Sequence, residues 1–397
     1  MINLTTVSNA LKNLYLNPLR EDINLQTDPL AARILRTSDN ITGYASIVRA
    51  AQIGANGGAG AGSETGALPS AGENLYEQLE STTKNFYGVL EISDKSMKSI
   101  KDGAGAFVNA LQQDIDTLNK TLKWNLCRQI YGDGSGLLTK VKVLGTAGKV
   151  LECATGFTTQ FLVPGLKVDL HAAADGSVGA GKAGLRIVDV DHKNNKITLN
   201  ASVTATANDY LTIQGSADYE LTGLGKIFEA ITATSMLYGK KREDYSWMRP
   251  YLEATFGAID EVKLQNVINL QEDTYNIKIN HISAGNDAYA HYMTLLNKRR
   301  AINDTMTLEG GHTALKFNNL PLVRAKFMSR DTIDLYDTSL FTIDQIDEWD
   351  WIEGTTKGIL HQKAGFPTYT ATLAKYCDLM CALPGGLARL KGVAAPV

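Results

Sequence analysis

The segment 105–131 carries the strongest periodic signal in the chain. Apolar side chains recur there every three or four residues, as they do on one face of an α-helix. The positions on this face are Phe107, Leu111, Ile115, Leu118, Leu122, Leu126 and Ile130. The glycine-rich stretch 132–136 follows, and glycine favours a helix end because it readily adopts the left-handed conformation. We therefore predict one amphipathic helix of about 40 Å, from the rise per residue of an α-helix.

Residues 139–216 are predicted to form a separate β-rich domain, because the apolar period changes there from helical to two. Candidate strands lie at 141–144, 166–170, 185–190, 196–200 and 210–213. The polar residues 191–195 have the composition of a turn and join two of these strands into a hairpin.

Residues 54–92 form a second unusual segment. The stretch 54–66 has almost no bulky side chains, so it cannot build a core of its own. The next residues, up to Ser81, contain acidic side chains and no Lys or Arg, and 85–92 has the character of a strand. We predict a long extended excursion that is mobile or held by a partner, because compact domains seldom tolerate such loops without a function.

The rest of the chain has mixed α and β character. Helices are predicted at 7–16, 224–238, 259–270 and 287–300, a strand at 276–282, and a hairpin at 314–317 and 320–325. Asn318 and Asn319 suit the turn of that hairpin because asparagine tolerates positive φ. With 397 residues, the chain is long enough for two or three compact lobes.

The charge balance excludes several classes of partner. A formal net charge of −3 argues against a protein that grips nucleic acid over its whole surface, since such binding needs clustered Lys and Arg. The first sixty residues have five basic and four acidic side chains, so they are not a DNA-binding tail. No signal peptide and no apolar run of membrane-spanning length are recognised, so no membrane partner is expected.

No catalytic, cofactor-binding or metal-binding residues are predicted, and we expect a non-enzymatic protein. The sequence at 176–183, GSVGAGKA, approaches a phosphate-binding loop, but Ala183 replaces the Ser or Thr that would hold Mg²⁺ and a strand follows instead of a helix. The six histidines are scattered, without the spacing of a metal site. The cysteines are expected to be free thiols of a reducing compartment: Cys127, Cys153, Cys377 and Cys381.

Two basic clusters contrast with the acidic excursion, one at 240–242 and one at 298–300. Such clusters are usually solvated surface. A sharper hypothesis is that one of them meets the acidic residues of a neighbouring subunit, because complementary charge guides association. The predicted inter-subunit residues are Glu73, Glu77, Glu80, Lys240, Lys241 and Arg242. Reversal of Lys241 and Arg242 to Glu would then impair assembly without unfolding the monomer.

The order of these features resembles that of the major capsid proteins of tailed bacteriophages, which have the Hong Kong 97-like fold. LCRQIYGDGSG at 126–136 resembles the end of the long spine helix of that family, and GLGKIF at 223–228 resembles the re-entry after it. Residues 311–328 and 332–343 resemble the late hairpin and strand pair, and 376–393 the closing strand and tail. The likeness extends from about residue 54 to the end.

The resemblance implies an α+β fold with a defined order of parts. These are an amino-terminal arm at 1–53, an extended loop at 54–92 that lies over an adjacent subunit, a peripheral domain with the spine helix at 93–138, and an axial domain with returning peripheral-domain strands at 217–397. The β-rich domain at 139–216 lies outside the minimal fold, although family members carry inserted domains.

By the same resemblance the chain would assemble with itself, as hexamers and pentamers, into the icosahedral head of a virion around double-stranded DNA. Assembly would take place in the host cytoplasm, with a portal, decoration proteins and weak non-specific contact with the packaged DNA. No long helical scaffolding segment is recognised at the amino terminus, so the resemblance implies a separate scaffolding protein, or none. The alternatives are an encapsulin-type compartment shell, a non-capsid phage structural protein or adhesin, and an unrelated enzyme.

Overall fold

The computed structural model describes residues 28–394, except for 44, 55, 68–69, 96–103, 299–304, 308–312 and 354–358. The helix predicted at 7–16 lies outside this range. The chain divides into two compact units: Leu126–Lys226 forms one, and Met1–Asn125 with Ile227–Val397 forms the other. We call them the β-rich unit and the main unit. No helix among the described residues has the length and apolar character needed to cross a membrane.

The secondary structure mixes a few helices with many strands. The helices are α1 (Pro29–Arg33), α2 (Ala104–Tyr131), α3 (Leu224–Ile227), α4 (Glu261–Tyr275) and α5 (Asn286–Lys298). The strands before residue 215 are β1 (Leu35–Thr37), β2 (Ile41–Thr42), β3 (Ser46–Gln52), β4 (Tyr76–Thr82), β5 (Lys84–Ser93), β6 (Leu137–Lys140), β7 (Leu144–Glu152), β8 (Lys167–His171), β9 (Leu185–Asp191), β10 (Lys196–Ala205) and β11 (Tyr210–Ile213). The later strands are β12 (Met236–Leu237), β13 (Lys240–Lys241), β14 (Tyr251–Glu253), β15 (His281–Ala284), β16 (Thr305–Thr307), β17 (Thr313–Phe317), β18 (Leu320–Arg324), β19 (Ile333–Tyr336), β20 (Phe341–Gln345), β21 (Asp350–Trp351), β22 (His361–Gln362), β23 (Thr368–Cys381) and β24 (Ala388–Leu390).

Helix α2 occupies the segment where the apolar period predicts it. Its predicted core positions Ile115, Leu122, Leu126 and Ile130 are buried, and Leu118 is half-buried. The side chains of the other two predicted positions, Phe107 and Leu111, lie outside the described residues. After the helix, Gly134 and Gly136 have positive φ, the conformation that glycine adopts without steric cost.

The β-rich unit contains a six-stranded sheet in the order β6-β11-β8-β9-β10-β7. A bridge between Val141 and Cys153 joins the first and last strands, so the sheet closes on itself around an apolar interior. The predicted strand at 141–144 is wrong: Val141 and Lys142 lie between β6 and β7, because their backbone pairs only briefly with residues 152 and 153. The hairpin predicted around 191–195 is present as β9 and β10.

The main unit contains two larger sheets. The seven-stranded sheet has the order β14-β24-β19-β15-β18-β17-β16, and apolar residues of α4 and α5 share its core. In the other sheet, β23 pairs along one edge with β5 and along the opposite edge with β20, β21 and β22 in turn. The predicted hairpin around Asn318 and Asn319 is confirmed, with φ of 51° and 65° at these residues.

Three predicted elements in this later part of the chain are wrong in extent. The helix predicted at 224–238 stops after Ile227, and the carbonyl oxygens of Ile227 and Glu229 accept hydrogen bonds from the Arg242 guanidinium. The helix predicted at 259–270 continues to Tyr275, and the strand predicted at 276–282 begins only at His281. Asn276, with φ of 53°, caps that longer helix in the left-handed conformation.

The excursion predicted at 54–92 is only partly unpaired. β3 and β4 form a seven-pair antiparallel ladder from Ser46 opposite Thr82 to Gln52 opposite Tyr76. β5 then pairs with β23 over its whole length. The described residues between β3 and β4 have no strand structure and lie at the end of the hairpin that these two strands form. We call this hairpin, from Ser46 to Thr82, the long hairpin.

Candidate assembly surfaces

The base of the long hairpin is fixed to the sheet around β23. Ser81 Oγ donates to Asp378 Oδ2 at 2.5 Å. Asn40, the residue before β2, donates from Nδ2 to Asp344 Oδ1 at 2.8 Å. Both carboxylates are fully buried and lie opposite each other in the β20–β23 ladder. Burial raises the pKa of Asp344. The hairpin thus projects from an anchored base, since buried polar groups bonded in this way specify one geometry.

The far end of the long hairpin exposes apolar side chains. Leu75 is 60% exposed and Tyr76 is 57% exposed, although both are large enough to contribute strongly to a core or an interface. Ile47 and Leu79, near the base, are fully buried. An exposed apolar end on a buried base has the pattern expected of a contact element, because contiguous apolar surface in water is costly.

The predicted charge pairing occurs within one chain for Lys240 and Glu77. Lys240 Nζ lies 2.5 Å from Glu77 Oε2, and this hydrogen bond raises the pKa of Lys240. The hypothesis that these two residues meet a neighbouring subunit is corrected accordingly. The backbone explains the meeting, since the N–H of Glu80 donates to the carbonyl of Tyr238 at 3.0 Å and brings the two segments together.

Arg242 is not a surface residue. Its side chain is fully buried and donates to the carbonyl oxygens of Ile227 at 2.7 Å, Glu229 at 3.3 Å and Met248 at 3.4 Å. It therefore fixes three stretches of backbone and is unavailable to a neighbour. The prediction that reversal of Arg242 leaves the monomer folded is wrong for the same reason, because reversal would bury a carboxylate against carbonyl oxygens.

The remaining predicted contact residues are accessible. Glu73 and Glu80 are exposed, and Glu80 accepts a hydrogen bond from Gln78. Lys241 Nζ lies 3.3 Å from Glu243 and 3.8 Å from Asp244, on the surface. The second basic cluster, at 298–300, has no described side chain.

A second accessible apolar surface lies on the β5–β23 sheet. Phe86, Leu90 and Ile92 of β5 are buried, whereas Tyr87 and Val89 on the opposite face are 52% and 57% exposed. Tyr87 packs edge-on against Tyr376 of β23, with ring centroids 6.3 Å apart. Sequence reasoning missed this surface, although apolar residues at both alternating positions of 85–92 are the signal for it. We call it the tyrosine face.

Ion pairing and burial account for the residues that the sequence suggested as chemical sites, namely the segment 176–183 and the four cysteines. In the loop that approaches a phosphate-binding motif, Lys182 Nζ lies 3.8 Å from Asp209, and the strand predicted after the loop is present as β9. All four cysteines are buried, and burial raises the pKa of Cys377 and Cys381 to about 12. Among the described residues, no group of three or more His, Cys, Asp or Glu is placed to hold a metal ion.

Comparison with solved structures agrees with this architecture. The chain is similar to a chain of the cyanophage A-1(L) capsid asymmetric unit over 94% of its own length and 92% of that chain, with a TM-score of 0.50 and 11% identity. The fold is that of a phage capsid subunit. No protein-family model matches the chain, and no curated protein matches it.

Two other solved structures are similar to the chain with lower TM-scores. The capsid of a native GTA particle matches over 92% of this chain and 90% of that chain, with a TM-score of 0.45 and 10% identity. The holo-SrpI encapsulin complex from Synechococcus elongatus matches over 81% of this chain and 78% of that chain, with a TM-score of 0.40 and 11% identity.

Proposed function

We propose that the protein is the major capsid protein of a tailed double-stranded DNA bacteriophage. The observation that carries the proposal is the capsid-subunit fold, which extends over nearly the whole chain. On this proposal the chain assembles with itself as hexamers and pentamers into the icosahedral head, in the host cytoplasm, and becomes part of the virion. It acts as a structural protein and not as an enzyme.

We assign parts of the chain to capsid roles as follows. Residues 1–53, which include β3, form the arm, and residues 54–92, which include β4 and β5, form the extended loop. Helix α2 is the spine helix of the peripheral domain at 93–138, and 217–397 supplies the axial domain. Residues 139–216 form the inserted domain. The support is the order of these elements along the chain, together with the closed sheet of the β-rich unit.

The long hairpin and the tyrosine face are the surfaces that this function would use between copies. Leu75 and Tyr76 are exposed on the first, and Tyr87 and Val89 on the second. Repetition around a closed symmetric shell makes each weak contact part of a cooperative assembly, which stabilises surfaces that a monomer would leave in water.

The other partners follow from the role of a head protein. We expect a separate scaffolding protein, a portal, decoration proteins, and only weak non-specific contact with packaged DNA. The net charge of −3 supports weak contact, because strong binding requires clustered cations. Binding of purified subunits to DNA with a steep dependence on salt would contradict this part of the proposal.

The test is expression of the whole chain, alone and with the scaffolding protein of its phage, followed by negative-stain electron microscopy. Closed shells, or rings with five and six subunits, would support the proposal. A chain that stays monomeric in both cases would refute it. Shells that enclose one co-purifying enzyme would favour the encapsulin alternative, so the contents of the particles are identified by nuclease digestion and mass spectrometry.

A further inference from the structure

The end of the long hairpin contains the single Asn-Gly sequence of the chain, at Asn56 and Gly57. Both residues are exposed to solvent. Asn56 Oδ1 accepts a hydrogen bond from the backbone N–H of Gly58 at 2.9 Å, which closes an Asx turn over Gly57. The turn therefore holds the carboxamide carbon of Asn56 beside the backbone nitrogen of the next residue.

This nitrogen is open to solvent and to the side chain before it. A Cβ built on Gly57 would meet no atom within 4 Å, and the φ of Gly57 lies outside the left-handed region. Among the residues that the structure describes, no carbonyl oxygen accepts a hydrogen bond from the Gly57 N–H. A backbone amide without steric cover or a competing hydrogen bond can lose its proton to water and approach the neighbouring side chain.

The turn also packs against the returning side of the hairpin end. A Cβ built on Gly72 would lie 2.5 Å from the nitrogen of Gly57, and one built on Gly58 would lie 2.7 Å from the nitrogen of Gly72. Backbone therefore meets backbone at this point, which only glycine allows. Any extra atom in the backbone at Asn56 would force the two sides of the hairpin end apart.

We propose that Asn56 is a site of spontaneous modification, at which the carboxamide is converted to a carboxylate through a cyclic succinimide. Aspartate and isoaspartate are the products, and isoaspartate carries one additional backbone carbon. The reaction uses water alone, and the residues that bring it about are Asn56 and Gly57 themselves. This step is independent of the proposed function.

The atoms balance as a hydrolysis of the side-chain amide. The Gly57 nitrogen loses its proton and attacks Cγ of Asn56, the Cγ–Nδ2 bond breaks, and Nδ2 leaves as ammonia with that proton. Water then opens the five-membered ring at one of its two carbonyl carbons. Opening at Cγ gives aspartate, and opening at the backbone carbonyl gives isoaspartate, whose chain continues through Cγ. No atom changes its oxidation state.

The product changes the charge and the shape of the hairpin end. Residues 54–81 contain four glutamates and no Lys or Arg, so the new carboxylate joins charges of its own sign. The additional carbon of isoaspartate disrupts the backbone contact between Gly58 and Gly72. On the proposed capsid function, on which this consequence rests, a modified copy no longer fits the adjacent copy. Subunits that remain unassembled thus lose the ability to enter a shell.

The test is a peptide map of the purified whole chain, incubated unassembled at neutral pH and sampled over time by mass spectrometry. We expect the peptide with residue 56 to exchange NH for O in its mass, with fragmentation that identifies isoaspartate there. Asn318 is the internal reference, because it is also exposed, its Nδ2 donates to Gln265 Oε1 at 2.8 Å, and asparagine follows it. Asn56 should react at least about ten times faster than Asn318, since glycine offers no Cβ to hinder the attack. Equal rates would overturn the proposal.

The variant Gly57→Ala separates the reaction from the fold. The added methyl group fits, because it would meet no atom within 4 Å, yet it hinders the attack of the nitrogen on Cγ. We expect conversion at residue 56 to be at least about tenfold slower, with an unchanged melting temperature. Asn56→Gln, whose ring would need one more atom, should slow the reaction likewise. Conversion of Gly57→Ala at the wild-type rate would show that this nitrogen is not the nucleophile and would overturn the proposal.

The consequence for assembly is tested with fresh and aged chain, each mixed with the scaffolding protein. Shell yield should fall in proportion to the modified fraction in the wild type and stay constant in Gly57→Ala. A constant yield from fully modified wild-type chain would overturn this consequence. Fresh chain that forms no shell would contradict the proposed function and this consequence together, whereas the peptide map still decides whether Asn56 reacts.

Discussion

At the scale of single residues, the buried charges determine how the main unit tolerates change. In the sequence, Arg242 belongs to a run of basic residues that is expected on the surface. In the structure, its guanidinium donates hydrogen bonds to three backbone carbonyl oxygens in the interior. Lys241, its neighbour, is on the surface. A sequence pattern does not separate the two, because burial is decided by elements distant in sequence.

We expect Arg242→Met to lower the free energy of unfolding by about 3 kcal/mol or more, because the carbonyl oxygens of Ile227, Glu229 and Met248 lose their donors. The measurement is unfolding by urea. Lys241→Met is the matched control and should change stability by no more than about 0.5 kcal/mol. Equal effects for the two variants would contradict the buried position of Arg242.

His281 gives a pH dependence with a defined sign. Burial lowers the pKa of His281 to about 3, from an ordinary value of 6.5, and Nδ1 lies 3.3 Å from Arg33 Nη1. The unfolded chain therefore binds a proton below pH 6.5 that the folded chain does not. Its contribution to stability is complete above about pH 6.5 and is lost as the pH falls towards 3.

Between pH 7 and pH 5 the wild-type chain should lose about 2 kcal/mol of unfolding free energy through this group, at about 1.4 kcal/mol per pH unit below 6.5. His281→Gln should remove that part of the loss. The comparison is made by urea unfolding of both chains at the two pH values. An identical loss in both would show that His281 is not the group that titrates.

At the scale of elements, two glycines determine how the chain leaves the β-rich unit. A Cβ at Gly223 would lie 2.3 Å from the carbonyl oxygen of Gln129 and 2.5 Å from that of Gly132. A Cβ at Gly225 would lie 2.8 Å from the same Gly132 oxygen. The two glycines of the motif GLGKIF are therefore required for steric reasons, since only glycine allows this backbone to contact the end of α2.

Gly223→Ala should destabilise the β-rich unit by about 1–3 kcal/mol, because backbone atoms must move to admit the methyl group. Thermal unfolding followed by circular dichroism measures the effect. Gly57→Ala, in the long hairpin, is the control: its Cβ would meet nothing within 4 Å. An unchanged melting temperature in Gly223→Ala would contradict this close approach.

Elements fixed by local signals were predictable from the sequence, and those fixed by distant pairing were not. The apolar period gives α2, and the Asn318-Asn319 turn gives β17 and β18. The position of β23 between β5 and β20 depends on pairs far apart in sequence. The helix predicted at 224–238 is wrong because the carbonyl oxygens of Ile227 and Glu229 accept from Arg242, a contact that the apolar period does not reveal.

The candidate surfaces were likewise predictable only where local signals determine them, and not where pairing between distant residues does. The glycine-rich and acidic composition predicts an excursion at 54–92, but not that β3 and β4 pair along its base. Complementary charge led to the hypothesis that Glu77 and Lys240 belong to segments that meet. Charge alone could not distinguish a contact within one chain from a contact between chains. The tyrosine face appears only when the pairing of β5 with β23 is known.

At the scale of the whole molecule, the exposed end of the long hairpin should matter for assembly and not for folding. The double variant Leu75→Glu with Tyr76→Glu is expected to leave thermal unfolding unchanged, because both side chains are exposed, and to reduce shell formation at least tenfold. Sedimentation velocity measures the assembled fraction. The double variant Val150→Glu with Val188→Glu, at two exposed valines of the β-rich unit, is the charge-matched comparison. Normal shell yield from the double variant would remove the hairpin from the interface.

The most direct test of the central claim is a cryo-electron microscopy reconstruction of the particles formed by the wild-type chain with its scaffolding protein. We predict an icosahedral shell built from hexamers and pentamers of this chain, with the long hairpin of each copy in contact with an adjacent copy. A chain that forms no closed shell under these conditions, or a shell in which the long hairpin contacts no other copy, would contradict the account.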